Sequence, residues 1–413
     1  MRTSGTENGG LLDGERQRPH ILVGVTSAQT CLVLAARLSA LRCEGFRVSL
    51  VCGPGKMSGH ATQVPGVAAH VLPVGRGIAL LRDAKAFLRM LLLVARLRPD
   101  IVEFSTPKAG LLGSMAAWIC RVPVRVYFLR GLRLETVTGF KKHLLLWSER
   151  IAAGCAHVVV ANSRSLVERA REHRVGGMAK LVLLGEGSSN GVDVSRFSPG
   201  MSSGREEFGI PADARVIGFV GRLTADKGVP ELLEAFAQVL RAEPESCLLL
   251  VGWFDAADDA LGRAVRARIE GHPRIVCTGY VADAAPYYRA MDLMILPSWR
   301  EGFPNAVLEA AASGVPVVAT RCTGSRDAVV PEVTGLLVEP GDARAIADAV
   351  LRILRDSKLR RRMAEASRGW AVEHFDQTMV LGRTVMFYRQ LLEATITKAE
   401  PARETATGYS ASL

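Results

Sequence analysis

Two carboxylates stand eight positions apart in the segment REGFPNAVLE, Arg300 to Glu309, and between them lies a helix start. Pro304 suits the first turn of a helix, where its missing N–H costs nothing. The amino end that opens near Pro304 or Asn305 offers unpaired backbone N–H groups and the positive end of the helix dipole. Phosphate oxygens or sugar hydroxyls fit such a place. Gly302, Phe303, Pro304 and Asn305 line this helix start as candidate ligand contacts, and Glu301 and Glu309 can accept hydrogen bonds from two separate diols of one elongated ligand. Neither needs to be a base. Taken alone the spacing is common by chance, with Glu301 a helix cap and Glu309 an ion-pair partner.

A second set lies in FVGRLTADKGVPELLEAF. A strand ends at Gly221 and a helix begins near Gly228, so Arg222 and Lys227 flank a strand's carboxyl end. Two fixed cations in one loop can clamp a diphosphate and stabilise its charge as it leaves. As isolated residues they read equally as solvated surface cations. In the first half, Lys108 opens a helix after the strand DIVEF, and Arg130 and Arg133 follow another strand end. These three are candidate anion ligands, with salt bridges or solvated cations as the alternative.

The elements that must carry these residues follow from periodicity. HILVGVT, the helix Thr30 to Glu44, RVSLVCG, the amphipathic Ile78 to Leu97 and DIVEFS alternate strand-length apolar runs with helical spacing, and Leu111 to Cys120, VRVYFL, Lys141 to Ala153, HVVVAN and KLVLLG continue the series. This is the pattern of βαβ units on a parallel sheet. It pauses in the Gly- and Ser-rich stretch Gly185 to Pro199 and restarts with RVIGFVG, Val229 to Arg241, SCLLLVG, a helix near Asp258 to Glu270, RIVCTG, DLMILPS, VPVVAT and GLLVEP. The expected fold is α/β: two doubly wound, Rossmann-like domains facing each other across a cleft, over 19–188 and 189–376. A last helix over 377–396 would cross back to the first domain, with 1–18 and 397–413 disordered. Ligands of such sheets sit at the carboxyl ends of the strands, where the candidate residues fall.

Composition agrees. A chain of 413 residues exceeds one compact core, and 48% hydrophobic with 23% charged residues fits a globular protein. The eight cysteines form no CxxC pair or Cys/His cluster and read as buried small hydrophobes. The amino-terminal residues lack a secretory apolar region, and AFLRMLLLVARL is too short and too basic to span a bilayer, so the expected location is cytoplasmic, extending to the inner membrane face. The net charge of +11 is uneven. Between His20 and Asn190 there are 23 Lys and Arg against 9 Asp and Glu, while Gly191 to Leu413 has 26 against 29. An anionic partner for the first half, such as a membrane surface or a phosphate-bearing substrate, would account for this, as would a solvated Arg-rich surface. The basic, amphipathic Ile78 to Leu97 either lies on anionic lipid or packs on its own sheet.

Taken together, Gly221-Arg222-Leu223, Lys227-Gly228 and Glu301-Gly302-Phe303 through Glu309 resemble the GT-B glycosyltransferases of family 4, a retaining family. The resemblance runs from about His20 to Leu392. STPKAGLLG, FLRGLRLET and GEGSSNGVD are similar to the branch that builds capsular and exopolysaccharide units, generally on polyprenyl diphosphate. It implies that Arg222 and Lys227 hold the diphosphate of a nucleotide sugar, with UDP the expected nucleotide. Glu301 to Asn305 would contact the transferred sugar, Glu309 the ribose, and the strand end at Gly279 and Tyr280 the base. It implies no cofactor and no metal, the basic pair taking the role of Mg²⁺; no DxD motif occurs. The acceptor implied is a lipid-linked glycan, whose diphosphate Lys108, Arg130 and Arg133 would meet. Retention would proceed by front-face attack, the leaving phosphate accepting the proton.

One departure stands out. Many relatives have histidines before TPKAG, where this chain has Glu103, Phe104 and Ser105, so no general base is assigned, and His143 and His157 read as structural. The alternatives are a soluble small-molecule acceptor or a GT-B nucleotide-sugar epimerase. A dehydrogenase is disfavoured by the lack of GxGxxG after HILVGVT. A nucleic-acid binder has only charge in its favour.

Overall fold

A computed structural model describes residues 18–55, 64–75, 77, 79–177, 180–200, 205–255 and 261–399. The expectations for 1–17 and 400–413, and for Asp258 at the start of its helix, lie outside the described residues.

In the first half, strands β1 (His20–Gly24), β2 (Arg47–Cys52), β3 (Ala68–Val71), β4 (Ile101–Ser105), β5 (Val124–Leu129), β6 (Val158–Ala161) and β7 (Leu181–Leu183) form one parallel sheet in the order β3-β2-β1-β4-β5-β6-β7. Helices α1 (Ala28–Cys43), α2 (Leu80–Leu97), α3 (Pro107–Ile119), α4 (Gly139–Cys155) and α5 (Arg164–Glu172) make the connections. β1 and β4 are buried along their whole length, because helices cover both faces. Side chains alternate accordingly: Ile21 and Val23 join Leu34 and Leu38 of α1, whereas Leu22 joins Met90 and Val94 of α2.

The second half repeats the architecture with β8 (Arg215–Val220), β9 (Ser246–Val251), β10 (Ile275–Cys277), β11 (Leu293–Leu296), β12 (Val317–Thr320) and β13 (Gly335–Val338), ordered β10-β9-β8-β11-β12-β13. Its helices are α6 (Val229–Ala242), α7 (Gly262–Glu270), α8 (Ala285–Ala290), α9 (Asn305–Ala312) and α10 (Ser325–Ala328). The helical material after β13 is not continuous but three helices, α11 (Ala343–Arg355), α12 (Ser357–Phe375) and α13 (Gln377–Ala399). Aspartates set all three starts: Asp342 accepts from Ala345 N, Asp356 from Lys358 N and Leu359 N, and Asp376 from Thr378 N, which favours a new helix over continuation. β3 and α5 were not read from the sequence; β3 has no buried residue, so its apolar signal is weak.

The chain crosses between the halves twice, side by side. Val192 N donates to Phe375 O at 2.8 Å and Gln377 N donates to Val192 O at 2.9 Å. α13 then packs on α1, placing Val385 and Tyr388 in the core of the first half. Beneath it lies a buried polar cluster: Arg37 and Tyr388 both donate to Glu103, and Arg37 Nη2 lies 2.6 Å from Tyr388 Oη. Glu103 thus ties β4 to α1 and α13. His157 caps a strand start, its Nδ1 accepting from Arg125 N, and His143 is exposed. The cysteines are all free, but Cys43 is exposed at the end of α1, against the expectation of burial.

Candidate functional site

Both sheets reverse direction of winding once, between β1 and β4 and between β8 and β11. Loops leaving adjacent strands at such a point diverge and open a crevice. β8 and β11 pair directly, so the Arg222–Lys227 loop and the Arg300–Asn305 loop emerge side by side although they are far apart in sequence.

The first loop is shaped by a short 3-10 turn, Ala225–Lys227, ended by Gly228 at φ 71°. A Cβ there would stand 2.0 Å from Pro297 O, so glycine is required both by the left-handed backbone and by the neighbouring loop. This close approach sets Lys227 against Glu301: Nζ donates to Oε1 at 2.6 Å, and Ser298 Oγ donates to the same oxygen at 2.7 Å. Their side chains are only 21% and 10% exposed, which strengthens the pair relative to a surface one. Arg222 Nη1 lies 2.8 Å from Asp255 Oδ2. Both cations are therefore held in position by carboxylates. Arg300 is engaged as well, with Asp226 at 3.0 Å and with Thr136 of the first half at 3.0 Å.

The second loop meets the opposite domain directly. A Cβ on Gly302 would lie 2.0 Å from Arg130 O and 3.1 Å from Gly131 N, so this loop abuts the carboxyl end of β5. Ser165 at the start of α5 adds hydrogen bonds to Asp327 and to Gly324 N, and Thr323 Oγ1 donates to Glu135 at 2.7 Å. The cleft between the sheets is closed at this edge.

Of the other candidates, Pro304 caps α9 and Asn305 is its first residue, as the sequence indicated. Phe303 turns inward: its ring packs on Phe375 with centroids 5.1 Å apart, leaving only its backbone for a ligand. Glu309 sits one turn into α9 and accepts from Tyr288 Oη at 2.8 Å. Burial raises its carboxyl above the ordinary range, offset by the Tyr288 hydrogen bond and the charge of Arg196. Gly279, at φ 71°, and Tyr280 follow β10, where the half-exposed Tyr280 ring meets Trp253 edge-on at 5.4 Å, forming an aromatic pair at the strand ends.

The acceptor-side trio is not one cluster of free cations. Lys108 is held by both carboxylate oxygens of Asp83, at 2.8 and 2.9 Å. Arg133 lies in the turn Arg133–Thr136 beside the cleft edge. Arg130 is the buried one: it stacks over Phe128 at 4.9 Å, stands 3.9 Å from Glu103, and its Nε and Nη2 have no hydrogen-bond partner. Burial and the neighbouring Arg37 lower its pKa to about 10. Ser298, Asp255, Tyr288 and Thr136 were missed in the sequence because nothing in local spacing links them to the residues they hold. Among the described residues no group of three or more His, Cys, Asp or Glu could hold a metal ion.

Two doubly wound domains, with basic and acidic loops meeting at the switch point of one and abutting the strand ends of the other, define the GT-B class of sugar transferases. Comparison with known proteins assigns the family. A Glycosyl transferase 4-like domain matches residues 26–187, and Glycosyl transferases group 1 matches residues 214–356. The capsular polysaccharide biosynthesis glycosyltransferase CapM of Staphylococcus aureus is 34% identical over 89% of this chain and 96% of its own. The UDP-Gal:alpha-D-GlcNAc-diphosphoundecaprenol alpha-1,3-galactosyltransferase of Escherichia coli is 28% identical over 76% of this chain and 82% of its own. Among solved structures, sucrose-phosphate synthase from Thermosynechococcus elongatus superposes with a TM-score of 0.76 at 24% identity, covering 91% of this chain and all of that one. Anabaena Alr3699/HepE, in complex with UDP and glucose, superposes with 0.74 at 21% identity over 89% and 99%. The chain belongs to the GT-B glycosyltransferases of family 4, in the branch resembling capsular and exopolysaccharide enzymes, and is a glycosyltransferase of polysaccharide biosynthesis.

Proposed function

We propose that the protein is a retaining enzyme that moves a hexosyl or N-acetylhexosaminyl group from a UDP-sugar to a polyprenyl-diphosphate-linked glycan at the inner face of the membrane. The observation that carries this reading is the Lys227–Glu301 pair at the β8/β11 switch point, with Arg222 in the same loop as Lys227 and Gly302 abutting the Arg130 carbonyl of the first domain. Arg222 and Lys227 hold the donor diphosphate and stabilise the charge that grows on it as the glycosidic bond breaks. Glu301 to Asn305 contact the sugar, Glu309 binds the ribose, and Gly279 and Tyr280 bind the base. The acceptor hydroxyl attacks from the face the diphosphate leaves, and the leaving phosphate takes its proton. No metal is needed, because the fixed cations supply the charge.

The acceptor class is supported by the E. coli relative, whose name specifies a diphosphoundecaprenol-linked sugar. A donor screen against membrane-extracted lipid acceptors, read by mass spectrometry, tests the reading. The expected product is lipid-linked with the anomeric configuration of the donor. An inverted product, or sugar transfer to soluble acceptors alone, overturns it; a lack of any nucleoside diphosphate binding in calorimetry does so more broadly.

A further inference from the structure

Among the described residues, ten of the eighteen exposed large hydrophobic side chains lie on the single helical layer α2–α4. On α4, Phe140, Leu144, Trp147 and Ile151 repeat at helical spacing as one outward stripe, with Phe140 82% and Trp147 61% exposed. On α2, Leu81, Leu88 and Leu92 form a parallel stripe, opposite the face through which Ala86, Met90 and Val94 pack on the sheet. A helix that only served its own core would be polar on that outer side. The other face of the sheet is already covered by α1 and α13, so α2–α4 is the free outer layer.

The charges between the stripes have one sign. Arg82, Lys85, Arg89 and Arg96 on α2 are exposed, as are Lys141 and Lys142 on α4. These three helices contain two acids, and neither opposes an anionic surface: Asp83 is paired with Lys108, and Glu149 is buried against Tyr127. This layer concentrates the positive excess of the first half. The amino ends of α2, α3 and α4 follow strand ends, so Leu80, Leu81 and Phe140 lie toward the sheet edge that borders the cleft.

We propose that the outer face of α2 and α4 is a membrane-docking surface, which inserts its leucines and aromatic rings among the acyl chains of an anionic bilayer while its basic residues meet the headgroups. Exposed apolar rows flanked by Lys and Arg are the features of a helix lying in the interface plane. Among the described residues no helix is long and apolar enough to cross a membrane, so docking is peripheral. This inference rests on the lipid-linked acceptor reading above, since docking by this face sets the cleft mouth at the bilayer surface.

The test is flotation of the full chain with vesicles of phosphatidylglycerol and, separately, phosphatidylcholine. Binding is expected to the anionic vesicles, at least tenfold weaker in Leu81→Glu with Phe140→Glu, and about fivefold weaker in Lys85→Gln. Brominated acyl chains should quench tryptophan emission in the wild type, and less in Trp147→Phe. Vesicle binding unchanged in the double variant, or equal on both lipids, overturns the proposal. So does concentration-dependent dimerisation that the double variant abolishes, which would make the face a contact between copies. Transfer to a detergent-dispersed lipid acceptor separates the two readings: its loss in a chain that still binds vesicles counts against the reaction, and its persistence without vesicle binding counts against the face.

Discussion

The Lys227 ammonium lies 2.6 Å from the Glu301 carboxylate, although 74 positions separate them in sequence. The sugar end and the phosphate end of the proposed donor site are therefore electrostatically linked before any ligand arrives. In the proposed site a diphosphate would compete with Glu301 for this cation, and the freed carboxylate would become an acceptor for sugar hydroxyls. Lys227→Ala should lower kcat by about 10² to 10³-fold, the usual cost of removing a positioned charge stabiliser. Glu301→Gln should also lower kcat but leave UDP affinity equal or higher. The double variant should lose less than the sum of the two, because the pair acts as a unit. Steady-state kinetics with calorimetry of UDP checks all three, and normal turnover in Lys227→Ala would remove the diphosphate clamp.

Gly302→Ala tests the contact between the domains. The added methyl would stand 2.0 Å from Arg130 O, which is backbone and cannot swing aside. The expected result is a kcat reduced at least tenfold with little change in the thermal midpoint, because the closed edge is displaced while each core stays intact. An unchanged kcat would show that the loop can shift without cost.

Tyr288→Phe removes the hydroxyl that donates to Glu309 and leaves a part-buried carboxyl group less satisfied. If Glu309 binds the ribose as proposed, donor KM should rise with a smaller change in kcat, since that contact would lie away from the reacting bond. Stability should fall by about 1–3 kcal/mol, the cost of an unpaired buried polar group, measurable by urea denaturation.

Glu149 lies on the buried face of α4, and burial raises its pKa to about 7, offset in part by the Tyr127 hydroxyl. Between its ordinary value of 4.5 and about 7, the folded state keeps a proton that the unfolded state has released. Stability is therefore greatest below that window and declines as pH rises through it, by on the order of 3 kcal/mol in total. Glu149→Gln should flatten this slope and be more stable than wild type at pH 8. Denaturation midpoints at pH 5 and pH 8 provide the comparison, and parallel slopes in the two proteins would remove Glu149 as the cause.

Much of the molecule was legible in the sequence because its signals are local. Strands buried on both faces read as apolar runs, helices as 3.6-residue periods, and the site loops as Gly, Pro and charged residues at strand ends. Arg222, Lys227, Glu301 and Glu309 stood out there only as candidates, and the family resemblance joined them into one site. Their partners could not be singled out: Asp255, Ser298 and Tyr288 reach them only because β8, β9 and β11 lie side by side and α8 packs on α9. Phe303 illustrates the converse, a residue inside the motif whose ring serves the core.

By itself, the sequence determined two doubly wound domains, the loops that carry the site, and a positive excess in the first half, since periodicity and composition act over a few residues. Tertiary structure decided what each charge does. Glu103 became the tie between β4, α1 and α13, Lys108 an ion-pair partner of Asp83, and the excess charge a single-signed face between apolar rows. Burial and distance set these roles, and both depend on which distant segments the fold brings into contact.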